Sequence, residues 1–224
     1  MSGALNEIRV LLRKEIQLEW RQRYALNGMV LYIVSTVFIC YLHFNLNQNL
    51  LNPIVWNTLF WVILMFTAVN AIGKSFAQDS EGRILYYYTL ASPVSIIASK
   101  IIYNSLLMIL LTLTGFAVYQ MAMGNPVEDQ AMYVLALVLG SIGFASVLTM
   151  ISAIASKAGN NGMLMAVLSF PMVVPLLLMA VKFSKNAMDG LDPSVSYDEI
   201  AILLSIDALV IALSLILFPY LWKS

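Results

Sequence analysis

Charge is what this 224-residue chain has least of: Asp, Glu, Lys and Arg together make up 11% of it, where a soluble domain carries about 25%. Hydrophobic residues make up 61%, against about 45–50% in a soluble domain, and mean hydropathy is +0.84. A globule of this size must still cover itself with polar surface, so lipid is the solvent for most of the chain. The single cysteine, Cys40, excludes an internal disulfide, a thiol metal cluster built by this chain alone, and a CxxCH haem-attachment site. The single histidine, His43, excludes an HExxH pair, and the apolar stretches hold no Ser-Lys or Asp-Asp pair, which speaks against a membrane enzyme. Net charge is zero, giving no bias toward nucleic acid. Neither an internal repeat nor a low-complexity tract is present.

What remains is long apolar runs. A span takes about 20 mostly apolar residues, and six segments meet that test: Leu26 to Phe44, Pro53 to Gly73, Ile101 to Met123, Ala131 to Ala155, Met163 to Val181, and Ile200 to Trp222. Of the twelve Asp and Glu residues only Asp207 falls inside them, and none of the twelve Lys and Arg does. That agreement supports the segmentation, because a mid-membrane charge costs at least about 2.5–3.5 kcal/mol. Placing the N-terminus in the cytoplasm puts ten Lys and Arg inside and two, Lys182 and Lys185, outside. The bias predicts that both termini are cytoplasmic.

Residues 1–25 hold eight charges, with no short apolar run leading to a small-residue cleavage site, so they do not read as a signal peptide. Leu5, Ile8, Leu12, Ile16 and Trp20 are spaced by three or four, which predicts an amphipathic helix along the cytoplasmic interface. Arg9 and Glu19 flank that stripe. Residues 74–100 then form a cytoplasmic loop and 182–199 an acidic outer loop. The expected organisation is an interface helix at 1–25 and a six-helix membrane domain at 26–224.

The cytoplasmic loop reads Phe76-Ala77-Gln78-Asp79-Ser80-Glu81-Gly82-Arg83-Ile84-Leu85 and continues through Leu90-Ala91-Ser92-Pro93 to Lys100. Acidic residues lead a glycine and then an apolar pair, so a short amphipathic helix is expected, with Pro93 marking the way into the next span. A plain solvated loop has the same composition; the pattern is more specific than that. An N-terminal amphipathic helix, six spans and a Phe-x-x-Asp-x-Glu-Gly-x-Ile-Leu loop ending in Pro and Lys resemble the permease subunits of ABC-type exporters. Within that group, Asp79-x-Glu81-Gly82, Leu90-Ala91-Ser92-Pro93 with Lys100, and Phe170-Pro171-Met172-Val173-Val174-Pro175-Leu176-Leu177 resemble the haem exporter B (CcmB) family over nearly the whole chain. This is the membrane subunit of the cytochrome c maturation transporter. The chain departs from the pattern at Tyr86-Tyr87-Tyr88, where Leu and Met are the rule.

The resemblance implies an all-α integral membrane protein of the ABC-2 exporter permease type in a bacterial inner membrane. It implies a separate ATPase subunit, holding ATP-Mg, that binds the loop helix at 76–90. Phe76, Asp79, Glu81, Gly82, Ile84, Leu85 and Pro93 are then the ATPase-coupling residues. It also implies other cytochrome c maturation membrane proteins as partners, a dimer or hetero-oligomer, and haem or release of a haem-carrying chaperone as the task. No cofactor or metal is assigned to this chain itself; haem is a candidate cargo. The alternatives are a permease of the same architecture for a lipid, glycan or drug, and an ion-coupled secondary transporter, for which only Asp207 offers a buried charge.

Further features carry expectations. Asp207, inside the sixth span, is a functional-site candidate because intramembrane carboxylates are expensive. Pro171 and Pro175 each remove a backbone hydrogen bond and should bend or break the fifth span. His43 sits at the outer end of the first span, and neutral imidazole suits iron, so these four residues are the transport-path candidates. Gly140, Gly143, Ala145 and Ser146 form a small-residue face suited to close helix packing, a dimer interface included. Trp56, Tyr103, Tyr133, Tyr220 and Trp222 read as anchors at the membrane interface. Gly73-Lys74-Ser75 matches the tail of a Walker A motif, but Ala68 stands where its first glycine belongs and a span precedes it, so nucleotide binding by this chain is not expected.

Overall fold

The protein is described by a computed structural model over residues 2–21, 24–46, 52–73, 75–76, 91–157 and 161–223. Among these residues there are helices and turns and no strand. We number the helices α1 (Ser2–Arg21), α2 (Tyr24–Leu46), α3 (Pro53–Ile72), α4 (Pro93–Met123), α5 (Gln130–Lys157), α6 (Asn161–Met188) and α7 (Tyr197–Lys223), with a 3-10 turn at Pro193–Ser196. Six stretches, in α2 to α7, are long and apolar enough to cross a membrane, and the chain is an all-α membrane protein. This follows from lipid itself, since a backbone without water must satisfy its own hydrogen bonds within each segment.

The span starts are set by short capping sequences. Asn52 accepts the Val55 N–H at 2.8 Å, with Pro53 in the first helical position of α3. Ser92 and Pro93 repeat the device at α4, where Ser92 accepts the Ser95 N–H at 3.3 Å. At α5, Asp129 accepts the Met132 N–H at 3.0 Å. Each cap satisfies an otherwise orphaned donor, and proline costs nothing in a first turn that has no N–H partner.

α5 lies at the centre, with 78% of its span inside the bundle, whereas α2 lies at the edge with 11%. The small residues of α5 explain its place. A Cβ on Gly140 would come within 2.5 Å of Trp61 on α3, and one on Gly143 would meet Leu176 on α6 and stand 2.6 Å from an Asp207 oxygen on α7. Ala145 and Ser146 are fully buried as well. The small-residue face is therefore filled within one chain and is not a surface left for a second copy.

The aromatic residues expected at the membrane boundary divide between core and surface. Trp56 and Tyr133 are buried, at 1% and 0% exposure, instead of lying at the membrane boundary. Trp56, Phe60, Phe116, Tyr119 and Tyr133 interlock, with centroid distances of 4.7 Å for Trp56–Tyr119 and 5.0 Å for Phe116–Tyr133. The two hydroxyls find partners inside, Tyr119 donating to the Trp56 carbonyl at 3.0 Å and Tyr133 to Asn57 Oδ1 at 3.0 Å, while the Trp56 indole N–H has none among the described residues. Trp222 is buried too, and Tyr220 remains outward-facing. A ring near a span end satisfies both the interface and an internal contact, so position in the sequence does not separate them.

The outer loop expected at 182–199 is largely helical. α6 continues to Met188, the 3-10 turn follows, and α7 begins at Tyr197. Gly190 has φ +63°, the left-handed turn that ends α6, and a side chain there would also strike Glu128. Lys182 meets the buried Glu199 at 2.7 Å, tying α6 to α7 across this connection. Pro171 and Pro175 lie within one continuous helix, so α6 is not broken into a pair of short helices, and both prolines are exposed on its outward side. There the missing bond and the ring face away from the packed core.

Gly140→Ala should lower the melting temperature of the detergent-solubilised protein, by about 1–3 kcal/mol of overpacking. Trp61 cannot swing aside without losing its 2.7 Å bond to the Ser184 hydroxyl. Fluorescence-detected size exclusion after a heating series measures this, and an unchanged transition would contradict the packing described.

Candidate functional site

α4 is 31 residues long, about 46 Å at 1.5 Å per residue, which exceeds the hydrocarbon core of about 30 Å. Its first two turns, Pro93 to Lys100, stand beyond the span that hydropathy predicts. They form one wall of a polar nest at the root of the loop that follows α3.

In that nest the Ser152 hydroxyl of α5 donates to the Gly73 carbonyl at 3.1 Å and accepts the Phe76 N–H at 3.2 Å. Asn104 of α4, 2% exposed, donates to the Ser75 hydroxyl at 3.1 Å and to Thr149 at 2.8 Å. Lys100 donates to the Ser75 carbonyl at 2.7 Å and lies 4.8 Å from the centre of the Phe76 ring. The same ammonium is 3.5 Å from Glu15 on α1. The Phe76 ring is buried against Phe218 at 5.4 Å, in a small apolar cluster with Ile97, Ile101 and Trp222. The loop therefore leaves α3 already fastened to α4, α5 and α7.

α1 docks beside this nest, and not by its apolar stripe. Leu5, Ile16 and Trp20 point outward, at 69%, 45% and 71% exposure. The side turned to α4 carries Glu7, Leu11, Glu15 and Glu19, four residues apart. Glu7 accepts the Ser92 N–H at 3.2 Å and its hydroxyl at 3.0 Å. Glu19 accepts the Tyr103 hydroxyl at 3.0 Å. Bonding to the Ser92 N–H first, and to the Ser95 and Ser92 hydroxyls next, holds the Glu7 carboxyl below its ordinary value of 4.5. Sequence reasoning placed Glu19 on the flank of the stripe and missed this acidic face. The signal was present as Glu at 7, 15 and 19 with Leu at 11.

Of the ATPase-coupling candidates, Phe76 and Pro93 are seen, the first anchoring the loop root and the second opening α4. Asp79, Glu81, Gly82, Ile84 and Leu85, with the helix expected at 76–90, lie outside the described residues. The transport-path candidates do not converge. Asp207 sits with Leu203, Val210 and Ser214 on the bundle-facing side of α7, 5% exposed, against Gly143. Neither of its oxygens has a hydrogen-bond partner among the described residues. His43 is exposed near the end of α2, edge-on to Phe44 at 5.4 Å. Pro171 and Pro175 face outward on α6. Among the described residues no three His, Cys, Asp or Glu side chains gather as metal ligands would.

A buried polar nest joined to a surface helix and to the start of a loop can pass displacement from one to the other. The family model described as CcmB protein matches residues 6–220, nearly the whole chain. No individual curated protein matches it.

The Glu7 clamp should respond to acid with a definite sign. Its carboxyl is lower in the folded state than in the unfolded one, so its contribution is present above the ordinary carboxylate range and is lost as pH falls through the folded value. Spin labels on α1 and α4 should report a close, uniform distance at neutral pH and a broadened one under acid. Glu7→Gln should give the broadened distance at every pH.

Proposed function

The chain belongs to the CcmB family, and from that premise we propose that its loop root and α1 receive the push of a separate ATPase subunit and pass it to the bundle. As a member of that family it is a multi-pass permease subunit of an ABC-type transporter in cytochrome c maturation and haem transport. The finer reading concerns coupling. The observation that carries it is Lys100, 5% exposed, which joins three elements at once: Glu15 of α1, the Ser75 carbonyl and Phe76 ring of the loop root, and its own helix α4.

In this reading ATP-Mg binds on the partner, which grips the loop at 76–90 through Asp79, Glu81, Gly82, Ile84 and Leu85. Closure of two such ATPases moves the loop. Because Ser152 and Lys100 fasten its root, the movement reaches α5 and α4 instead of being absorbed by slack chain. α1 follows through Glu15 and Glu7. The bundle then needs two arrangements of similar free energy and no catalytic residue of its own. The face carrying α1, the loop and the end of α7 is cytoplasmic, and the complex lies in the inner membrane with other maturation proteins. The cargo on the far side is haem or a haem-carrying chaperone.

Asp207 belongs to the moving part of this scheme. A buried carboxyl with no partner among the described residues costs several kcal/mol, a cost that packing alone gives no reason to keep. A second arrangement of α5, α6 and α7 that brings a polar partner to it would be stabilised by the same amount, so Asp207 favours switching.

Two experiments test this. Replacing Glu81 and Gly82, or Lys100→Met, should leave insertion and co-purification of the ATPase intact. Stimulation of ATP hydrolysis should fall by about 2- to 30-fold, the usual range of coupling losses. Normal stimulation in both variants would reject the coupling role. Asp207→Asn should keep or raise the melting temperature and lower the yield of mature cytochrome c, while a wild-type yield would remove Asp207 from the mechanism.

A further inference from the structure

Two carboxyls on α7 are buried to the same degree and held in opposite ways. Glu199 is 4% exposed, and its Oε1 lies 2.7 Å from the Lys182 ammonium. Asp207, about two turns further on, is 5% exposed, and neither of its oxygens has a hydrogen-bond partner among the described residues. Gly143 makes room for it, since a Cβ there would stand 2.6 Å from Asp207 Oδ1 and would also strike Leu176. The carboxyl therefore lies against the α5 backbone beside Leu176, with the buried Leu203 and Val210 before and after it on α7.

The helices packed around Asp207 bring no charge near enough to hold it as an anion. On α5 the ionisable side chains are Tyr133 and Lys157, about 15 and 21 Å along the helix from Gly143. On α6 the nearest to Leu176 is Lys182, which is committed to Glu199. α3, whose Trp61 packs on α5 one turn away, has none between Pro53 and Ile72. α4 brings Lys100 and Tyr103 to the loop-root end and Tyr119 to the aromatic cluster around Trp56. α7 itself has none between Glu199 and Tyr220 other than Asp207. An anion in such surroundings costs far more than a neutral group, and a buried carboxyl without a counter-charge takes up a proton instead.

We propose that Asp207 is a proton-binding site: the packed arrangement of α5, α6 and α7 holds it as a neutral acid, and loss of the proton separates α7 from α5. The proton comes from water and returns to water, and the carboxyl O–H is the one bond made or broken. An anion does not stay against Gly143 and Leu176, so deprotonation and separation of the seam promote each other. Acid then favours the packed arrangement and rising pH weakens it. That sign is opposite to the Glu7 clamp on α1, whose contribution is lost under acid. The site rests on the switching role given to Asp207 above, but its test needs no ATPase, so failure of the coupling scheme leaves it standing.

Two measurements on the full chain in detergent test this. Dicyclohexylcarbodiimide is an apolar reagent that adds a neutral carboxylic acid across a C=N bond; the acyl group then moves from oxygen to nitrogen, leaving a stable N-acylurea with nothing expelled. Peptide mass mapping should find the label on Asp207 and not on the equally buried, lysine-paired Glu199. The labelling rate should fall about tenfold per pH unit once the site begins to lose its proton. Spin labels at the outward-facing Leu135 of α5 and Leu209 of α7 should give a single distance in mild acid and a second, longer one at alkaline pH. Asp207→Asn, neutral at every pH, should keep the single distance throughout. No label on Asp207, equal label on Glu199, a labelling rate or a wild-type distance that ignores pH, or the same lengthening in Asp207→Asn would each overturn the proposal. Labelling is read on the wild-type chain, so it decides even where the variant fails to fold.

Discussion

The bundle depends on how closely α5 can be approached. Lipid gives no hydrophobic reward for bringing helices together, so their association rests on van der Waals fit and on polar contacts across the seams. Two positions without side chains on α5 admit Trp61 at one level and Leu176 with Asp207 at another. The indole at the first is held by Ser184, which also lies 3.1 Å from Asn57 Oδ1. Asn57 in turn donates to the Val181 carbonyl at 3.1 Å. α3, α5 and α6 thus share a polar seam at one end of the bundle, and α3, α4 and α5 share another at the loop root. Between them Ser141 of α5 donates to Thr112 of α4 at 2.9 Å, and Asp207 is a buried carboxyl.

The two ends differ in kind. At the end with Gly190, contacts close the structure: a left-handed turn, a 3-10 turn and the Lys182–Glu199 pair join α6 to α7 with little slack. At the other end the contacts run between elements far apart in the chain, from α1 to α4 and from the loop root to α5 and α7. The first arrangement suits a fixed point and the second a point of transmission, as expected when force enters at one membrane face.

Much of this was legible in the sequence because hydropathy is a blunt and dependable signal. The six spans and Asp207 as the lone acid among apolar residues needed only the cost of charge in lipid. What was not legible turned on direction. Whether Trp56 faces the interface or the core depends on partners supplied by α4 and α5. The side by which α1 docks was hidden because its apolar stripe is the more conspicuous one, while the docking face is acidic. The unbroken course of α6 through Pro171 and Pro175 depends on both rings pointing outward. The residues expected to meet the ATPase lie mostly between Phe76 and Ala91, outside the described residues, so the candidate site is known from its root and not from its tip.

The length of α4 has a mechanical consequence. From Pro93 to Lys100 it rises about 12 Å, and from Ile101 to Met123 about 35 Å. Glu15, Ser75 and Phe76 hold it near the junction of those two parts. A rod pivoting there is a lever with arms in a ratio of about one to three. A sideways shift of a single ångström at Pro93 becomes about three at Met123, beside the turn that leads into α5. Under the coupling proposed above, a small stroke at one membrane face would become a larger one at the other, with no helix needing to bend.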